Sequence, residues 1–218
     1  LRRVALSRGV NMEELHWRTK LDNLDKNAKI LFLGSYTSQD GADYFYYMSR
    51  YNQFYKILSL LIYGRDKINE YKGKDIKEID KLLKDTNLID WKTEIRKIDK
   101  TEDQREEIRK KIRAELAKNG FEICDLFLSV ARRNSSSLDK DILIEDARTK
   151  RTNLIELLTE MKSLKRICCT SEFVKKHIAK HDIEFIRNRN IDIVCLDSPS
   201  PSKRIKVSEK AINWAEHI

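Results

Sequence analysis

The sequence lacks any apolar run that approaches the length of a membrane-spanning helix. Such a helix needs about 18 or more consecutive apolar residues, and the apolar stretches of this 218-residue chain are much shorter. The chain also does not open with a basic segment followed by an apolar one, as a secretory signal peptide would. We therefore expect a cytoplasmic protein without a membrane partner.

Cysteine is scarce, and its spacing argues against a metal centre. The four cysteines lie in short apolar stretches without any C-x-x-C pair. Zinc and iron–sulfur sites need closer spacing, and disulfides need an oxidising compartment, so we expect reduced, buried thiols. His177 and His181 lie four residues apart, but no third ligand is near them, and a solvated helix face is the simpler interpretation. The sequence thus predicts no metal site.

Acidic residues are outnumbered by basic ones. The chain has 44 Lys and Arg against 35 Asp and Glu, a formal net charge of +9. A surface of this sign attracts polyanions, so nucleic acid is the first partner to consider. A chain of this length can bury a sizeable core as one domain.

Four short apolar runs predict buried strands. They are "KILFLGS" (29–35), "FEICDLF" (121–127), "KRICCTS" (165–171) and "IDIVCLD" (191–197), and helical patterns occupy 51–64, 151–164 and 171–181. This alternation predicts a three-layer α/β/α sandwich with a short, mainly parallel central sheet. Ligands of such sheets bind at the carboxyl ends of the strands. The candidate ligand-binding loops are therefore those that begin at Gly34, Asp125, Thr170 and Asp197.

Residues 65 to 118 are mostly charged, with the two signs nearly balanced. Their apolar residues recur at helical spacing, as at Ile76, Ile79, Leu82 and Leu83. The pattern predicts solvated helices, which we interpret as a charged helical insertion at 65–118 within a single domain spanning 1–218. A role in holding a partner is the alternative. Residues 1–11 precede Met12, and we expect them to be disordered or to come from a vector or an overlong start.

Residues 46 to 58, "YYMSRYNQFYKIL", combine five aromatic residues with Asn52 and two cations. With the strand before them they resemble the first motif of the uracil-DNA glycosylase superfamily, particularly its hypoxanthine-DNA glycosylase and mismatch-specific branches. In those branches a strand ends in Gly-Ser or Gly-Ile, and an aromatic pair and an Asn-x-Phe-Trp segment follow. The matching elements here are Gly34-Ser35, Tyr46-Tyr47 and Asn52-Gln53-Phe54-Tyr55.

The resemblance continues along the chain. Residues 119–142 are similar to the family's second strand and the Ser-Leu-Asp after it, with Asp125 and Ser137-Leu138-Asp139 in the matching places. Residues 151–158 and 166–176 resemble the later helix and the strand whose end lines the pocket. Residues 196–218 resemble the second motif, a Ser-x-Ser-Pro loop, and the closing helix with its Lys and Trp. Only the insertion has no counterpart.

This resemblance implies a monofunctional DNA glycosylase that acts as a monomer on DNA containing damaged bases. Such an enzyme flips the nucleotide out of the stack, because the N-glycosidic bond cannot be reached inside a duplex. A positioned water then hydrolyses the bond of a deaminated base (uracil, hypoxanthine or xanthine). The reaction needs no metal, no cofactor and no covalent lysine intermediate.

The resemblance also implies the site residues. An aromatic face can stack on a flipped base, an amide offers both a donor and an acceptor, and hydroxyls and N–H groups at a helix start can bind phosphate. The catalytic residues are predicted to be Asn52, Ser35 and Tyr36, and the base-binding residues Tyr46, Tyr47 and Thr170. The predicted contacts to the DNA backbone are Ser198, Ser200, Ser202, Lys203 and Arg204.

The sequence departs from the family at important positions. Tyr36 stands where the mismatch-specific branch has an Asn that positions water and the uracil-specific enzymes have an Asp, and Thr37 and Ser38 replace Pro-Gly. Leu196 replaces the second-motif His, and Asp197 stands where Pro is expected. The hypoxanthine branch also lacks the first-motif Asn and the His, so activity is not excluded.

Alternative interpretations remain open for the protein and its residues. The chain is alternatively a catalytically silent relative that binds damaged or single-stranded nucleic acid, or an enzyme that cleaves free nucleosides. Phe54 and Tyr55 fit the core, and the aromatic pair before them fits a cap on the sheet. The Ser/Pro run fits a solvated linker with its two cations in water, and Asn52 fits a helix cap.

Overall fold

The structure, a computed structural model, describes residues 13–15, 24–36, 45–48, 51–72, 74, 76–83, 86–97, 99–133, 139–201 and 203–218. The strands within them are β1 (Glu13–Leu15), β2 (Ile30–Gly34), β3 (Phe121–Asp125), β4 (Phe127–Ala131), β5 (Lys150–Arg151), β6 (Arg166–Cys169) and β7 (Asp192–Cys195). The central sheet is parallel throughout, with strand order β3-β2-β6-β7. The predicted α/β fold with a mainly parallel sheet is confirmed.

Alternating side chains of the parallel strands fill two separate cores. Phe32, Ile123 and Cys168 belong to the hydrophobic cluster on one face of the sheet. Leu31 and Leu33, with their neighbours Cys124, Ile167 and Cys169, belong to the cluster on the other face. Both faces are covered, because successive residues of a strand point to opposite sides. This explains why these strands are apolar runs rather than alternating ones.

Helices form the outer two layers. They are α1 (Phe54–Tyr63), α2 (Ile76–Leu82), α3 (Asn87–Glu94), α4 (Glu102–Lys118), α5 (Leu154–Glu160), α6 (Glu172–His177), α7 (Lys180–Asn188) and α8 (Val207–Ala215), with 3-10 turns at Arg65–Tyr71 and Asp139–Asp141. Helices α1, α4 and α8 pack their apolar residues into the cluster that contains Phe32. Helices α5, α6 and α7 pack into the other cluster.

The charged segment 65–118 is helical, and its inner faces are part of the core. Ile79, Leu88, Ile112 and Leu116 are buried in the same cluster as Phe32, and α4 contacts β3 directly. The segment is therefore, together with α1, part of the connection from β2 to β3 across one face of the sheet. Its status as an insertion relative to other proteins stays a prediction.

Two predicted elements are divided. The run 121–127 is not one strand: it bends at Leu126, and β4 joins a second, antiparallel sheet of order β1-β4-β5. The N–H groups of Leu126 and Phe127 donate to the carbonyls of Gly34 and Ser35 at 2.8 and 3.1 Å, so the bend after β3 is bonded to the end of β2. The helical pattern 171–181 is interrupted by extended backbone at Ile178 and Ala179, so His177 and His181 lie on different helices.

None of the described helices combines the length and apolar character needed to cross a membrane. Of the described cysteines, Cys124, Cys168 and Cys169 are buried, Cys195 is half-buried, and all are free thiols. The predictions for residues 1–11 and for Thr37, Ser38, Ser137, Leu138 and Ser202 fall outside the described residues.

The start of α4 allows a direct test of how this helix is fixed. The Thr101 hydroxyl accepts from the Gln104 N–H at 3.3 Å, and the Gln104 side chain accepts from the Thr101 N–H at 2.9 Å. Thr101→Ala should lower the free energy of unfolding by about 1 kcal/mol, because the Gln104 N–H loses its acceptor at the helix start. Urea denaturation measures the change.

Thr93→Ala is the matched control, since its exposed hydroxyl only donates to the Ile89 carbonyl within α3. Its change should stay within about 0.5 kcal/mol. Equal losses in the two variants would show that the capping box does not stabilise α4.

Candidate active site at the carboxyl edge of the sheet

Three loops meet where β2, β3 and β6 end. Gly34 is in register with Asp125 on β3, and Leu33 is in register with Cys169 on β6. Thr170 continues this edge: its N–H and its hydroxyl both donate to the Leu33 carbonyl, at 3.0 and 3.3 Å. The carboxyl edge of a parallel sheet is where α/β folds place their ligand sites, and it is where the sequence-predicted residues Ser35 and Thr170 lie.

Tyr47 reaches into this edge from the loop before α1. Its backbone is left-handed, with φ of 56°, which is uncommon for a residue with a bulky side chain. The ring stacks on Phe54 at 4.2 Å between centroids and 6° between planes. The hydroxyl lies 3.0 Å from the Thr170 hydroxyl. Burial and, next, the nearby Asp125 carboxylate raise the pKa of Tyr47 well above its usual range, so the phenol keeps its proton.

Gly34 makes this approach possible. A Cβ at position 34 would lie 2.3 Å from the Asp125 Oδ1 and 2.3 Å from the Tyr47 hydroxyl. No side chain fits there. Glycine is therefore required at position 34 because the Asp125 and Tyr47 side chains occupy the space of a Cβ atom. Its backbone is not in the left-handed region, so its conformation alone does not require glycine.

Ser35 binds a second carboxylate. Its hydroxyl donates to the Asp139 Oδ1 at 2.6 Å. Burial raises the pKa of Asp139, while the Ser35 bond and the Arg132 charge oppose this and Asp125 adds to it. A half-buried carboxyl with a raised pKa can accept a proton from water, and such groups concentrate at active sites. The edge thus holds a pair of acidic residues, Asp125 and Asp139, on neighbouring elements.

The side chains of Tyr36 and Tyr46 are buried in the hydrophobic interior. Tyr36 is buried, and the buried Arg132 guanidinium lies 5.7 Å from its ring centroid. Tyr46 is only 3% exposed and lies in the Phe32 cluster, with its carbonyl accepting from the Tyr55 hydroxyl at 3.0 Å. Of the predicted aromatic pair, Tyr47 is the residue whose hydroxyl contacts Thr170 at the carboxyl edge.

Asn52 lies just before α1, near residues 45–48, which we call the aromatic loop. Its side-chain oxygen accepts from the Phe54 N–H at 2.8 Å, an Asx turn that leads into the helix. Its own carbonyl accepts from the Lys92 ammonium at 2.5 Å. The oxygen of the predicted catalytic amide is therefore bonded to the backbone two residues on. Phe54 connects this turn to the edge, because its ring carries Tyr47.

The loop after β7 packs against the same turn. We call residues 197–201 the Ser/Pro loop. Its Pro199 carbonyl accepts from the Gln53 N–H at 2.9 Å, and the hydroxyl of Ser198 accepts from the Ser200 N–H at 3.3 Å. Asp197 binds α8 twice, through Asn213 at 3.1 Å and Trp214 at 2.8 Å. The structure therefore brings the predicted DNA-binding loop beside Asn52.

The two predicted cations of this region differ in their surroundings. Lys203 forms an ion pair with Asp197, with 2.6 Å between Nζ and Oδ1. Arg204 is exposed. Both follow the Ser/Pro loop in the chain, and Ser198 and Ser200 are half-buried within it.

Sequence reasoning gave no role to two buried lysines at this site, Lys92 and the closing-helix lysine Lys210. Lys210 donates to the Gln53 side-chain oxygen at 2.8 Å and to the Ser200 carbonyl at 2.9 Å, and Lys92 binds the Asn52 carbonyl. A signal was present, since each lysine lies on the apolar stripe of its helix. Lys210 follows Val207 by three residues, and Lys92 follows Leu88 by four. A lysine at such a position must find polar partners inside the protein.

Among the described residues, no group of three or more His, Cys, Asp or Glu side chains is arranged to hold a metal ion.

The tight contact at Gly34 gives a prediction. Gly34→Ala should lower the free energy of unfolding by about 1–3 kcal/mol, because the new methyl group overlaps Asp125 and Tyr47. In a Tyr47→Phe background the loss should be smaller, because one of the two overlapping atoms is gone. Urea unfolding of the four proteins in this double-mutant cycle measures the coupling. Identical losses in both backgrounds would show that the Tyr47 hydroxyl does not occupy the space above Gly34.

Comparison with known proteins finds a likeness in fold. The chain is similar to the solution NMR structure of a protein from Methanosarcina acetivorans described as a "putative Uracil DNA glycosylase", with a TM-score of 0.52 and 17% sequence identity. The match covers 88% of this chain and 90% of that chain. No family model and no curated protein matches the sequence. At this identity the likeness shows that the two chains share a fold.

Proposed function

We propose that this protein is a monofunctional DNA glycosylase of the uracil-DNA glycosylase superfamily, nearest to its hypoxanthine-specific and mismatch-specific branches. Its substrate would be a deaminated base flipped out of DNA. The observation that carries the proposal is the meeting of Tyr47, Thr170, Asp125 and the Ser35–Asp139 pair at the carboxyl edge of the sheet. The fold shared with the Methanosarcina protein supports it.

The proposed reaction breaks the bond between the sugar C1′ and the base nitrogen. Water adds to C1′, the base leaves with the bonding electron pair, and the proton of the water passes to a carboxylate. Asp139 suits this last step, because burial raises its pKa and Ser35 orients its oxygen. The cationic character that develops on the sugar is stabilised by the fixed carboxylates of this edge. No metal and no cofactor takes part.

The proposal refines the predicted roles of the aromatic residues. Tyr47 has its hydroxyl at the edge and one ring face covered by Phe54, so it is the proposed base contact, with Thr170 beside it. Tyr46 and Tyr36 are buried and are proposed to hold the loop and the strand end in place. Asn52 is proposed to use its amide N–H to bind the base or the water, since its oxygen serves the helix.

The Ser/Pro loop, with Lys203 and Arg204, is proposed to bind the phosphates of the substrate strand. It precedes α8, whose N-terminal end favours anions, and Arg204 is exposed there. We propose that the protein works as a monomer in the cytoplasm, with damaged DNA as its partner.

One observation favours a second function, binding without catalysis. The Asn52 oxygen is engaged by the Phe54 N–H, and Tyr36 stands in place of the first-motif carboxamide or carboxylate. A protein of this kind would recognise damaged or single-stranded nucleic acid and leave the glycosidic bond intact.

A strand-cleavage assay separates these functions. The protein should convert oligonucleotides carrying uracil, hypoxanthine or xanthine, paired or single-stranded, into alkali-labile abasic products. Borohydride should trap no protein–DNA adduct, because no lysine forms a covalent intermediate. Binding of the same oligonucleotides without any abasic product would support the silent relative, and an adduct would contradict the monofunctional mechanism.

Two substitutions of Asn52 separate chemistry from capping. Asn52→Asp keeps the acceptor for the Phe54 N–H and removes the amide donor, so it should keep the stability of the parent and lose about tenfold or more in turnover. Asn52→Ala should lose the turnover and also about 1 kcal/mol of unfolding free energy. Single-turnover rates and urea unfolding measure the two effects. Full activity in Asn52→Asp would assign the residue to capping alone.

Removing the cations after the Ser/Pro loop tests the phosphate contact. Replacing Lys203 and Arg204 together by Gln should weaken binding to lesion and ordinary DNA about equally. It should also flatten the slope of log affinity against log salt by about one to two units, because fewer counterions are released. Lys110→Gln, an exposed substitution on α4, is the control. An unchanged slope would place the contact elsewhere, with Arg148, Lys150 and Arg151 the next basic cluster to test.

A further inference from the structure

Two lysines near the site are buried although this side chain is almost never fully buried unless it is paired. Lys210 on α8 is 0% exposed and Lys92 on α3 is 8% exposed. Among the residues that the structure describes, neither has an ion-pair partner of the kind that usually accompanies a buried cation. Their ammonium groups instead donate to oxygens of the two segments that border the carboxyl edge.

Lys92 holds the Asn52–Gln53 turn from the side of the charged helices. Its ammonium donates to the Asn52 carbonyl at 2.5 Å, and Arg96, just after the same helix, donates to the Met48 carbonyl. The charges that act most on Lys92 are Lys56 on α1 and Arg96, and both are positive. Lys92 and Arg96 therefore connect the segment 65–118 to the backbone of the aromatic loop and of the turn that follows it.

Lys210 holds the same turn from α8. Its ammonium bridges the Gln53 side-chain oxygen and the Ser200 carbonyl, which lie on the turn and on the Ser/Pro loop. The Gln53 N–H, bonded to the Pro199 carbonyl at 2.9 Å, makes a second link between these segments. The charged groups that face Lys210 are Asp197 and Lys203 of the region after β7.

We infer that Lys92 and Lys210 are positioning residues that lock the Asn52–Gln53 turn against the Ser/Pro loop and so set the opening of the candidate site. The relevance of this lock for catalysis rests on the proposed function. The lock itself follows from the described contacts alone. It gives the charged helical segment a part in the site, through the Lys92 contact.

The lock should be sensitive to pH. Burial is the first cause that lowers the pKa of both lysines to about 8. The ammonium is the stronger donor, so the lock is at full strength below about pH 8 and weakens as the pH rises through this value. The free energy of unfolding changes in the opposite direction. Between about pH 8 and the ordinary pKa of lysine, the unfolded lysines bind more protons than the folded ones, so the free energy of unfolding rises with pH.

Hydrogen exchange of the free protein tests the inference without any DNA. In Lys210→Met, the Gln53 amide should exchange about tenfold faster than in the parent, because it opens with the turn, while amides of β2 and β6 keep their rates. Lys92→Met should act in the same direction. Lys110→Met on α4 is the control and should change neither. A uniform acceleration over the sheet, or no change at Gln53, would overturn the inference.

Two substitutions of Gln53 test the bridge without removing either lysine. Gln53→Leu deletes the acceptor and should loosen the turn. Gln53→Glu places a carboxylate on the Lys210 ammonium, which should keep the Gln53 position protected to higher pH. In the parent, the protection factor of the Gln53 amide, which corrects for the intrinsic exchange rate, should decrease between about pH 7 and about pH 9.5. In Gln53→Glu the decrease at residue 53 should be smaller.

These outcomes are independent of enzyme activity. Faster local exchange in the lysine variants of a protein that excises no base would uphold the lock and reject the glycosylase. In an active protein, the lysine variants should raise KM for the oligonucleotide more than they lower kcat, because they displace binding walls and leave the carboxylates in place. The reverse split would contradict a positioning role.

Discussion

The close approach of Tyr47 to the end of β2 is the contact on which the candidate site depends. The phenol lies over a strand position that only glycine can occupy, between a carboxylate of the next strand and the hydroxyl of Thr170. To reach it, the backbone adopts a left-handed conformation of the kind that persists where the surroundings over-determine it. Here the surroundings are the stack on Phe54 and the packed aromatic loop.

The hydrophobic core and the candidate site therefore share residues. Phe54 contacts Tyr47 on one side and Phe32 and Trp214 within the core, with ring centroids 5.4 and 5.5 Å away. Trp214 in turn donates its indole N–H to the Asp197 carbonyl. The same aromatic cluster thus fixes the loop before α1 and the loop after β7. A change in core packing would reach both walls of the site, because close-packed interiors transmit displacement.

The parallel sheet can be predicted from the sequence, because its buried strands are continuous apolar runs. The arrangement of residues at its carboxyl edge is less predictable. The second sheet was not predicted: β1 and β5 are too short to show a pattern, and β4 reads as a continuation of β3. Tyr46 and Tyr47 are adjacent and alike in sequence, yet one is core and the other polar-facing, since a turn decides their directions. The roles of Lys92 and Lys210 depend on partners distant in sequence, although their places on apolar stripes mark them as unusual.

Charge is distributed unevenly around the site. The acidic side chains Asp125 and Asp139 lie at the strand ends, whereas Lys92, Lys210, Lys203 and Arg204 surround the Asn52–Gln53 turn and the Ser/Pro loop. Under the proposed function this arrangement suits both parts of the substrate. A phosphate backbone is anionic and would bind at the cationic rim, while the sugar becomes cationic as the glycosidic bond breaks and would face the carboxylates. The buried lysines are tolerated for a different reason: their ammonium groups donate to the Asn52 and Ser200 carbonyls and to the Gln53 side-chain oxygen.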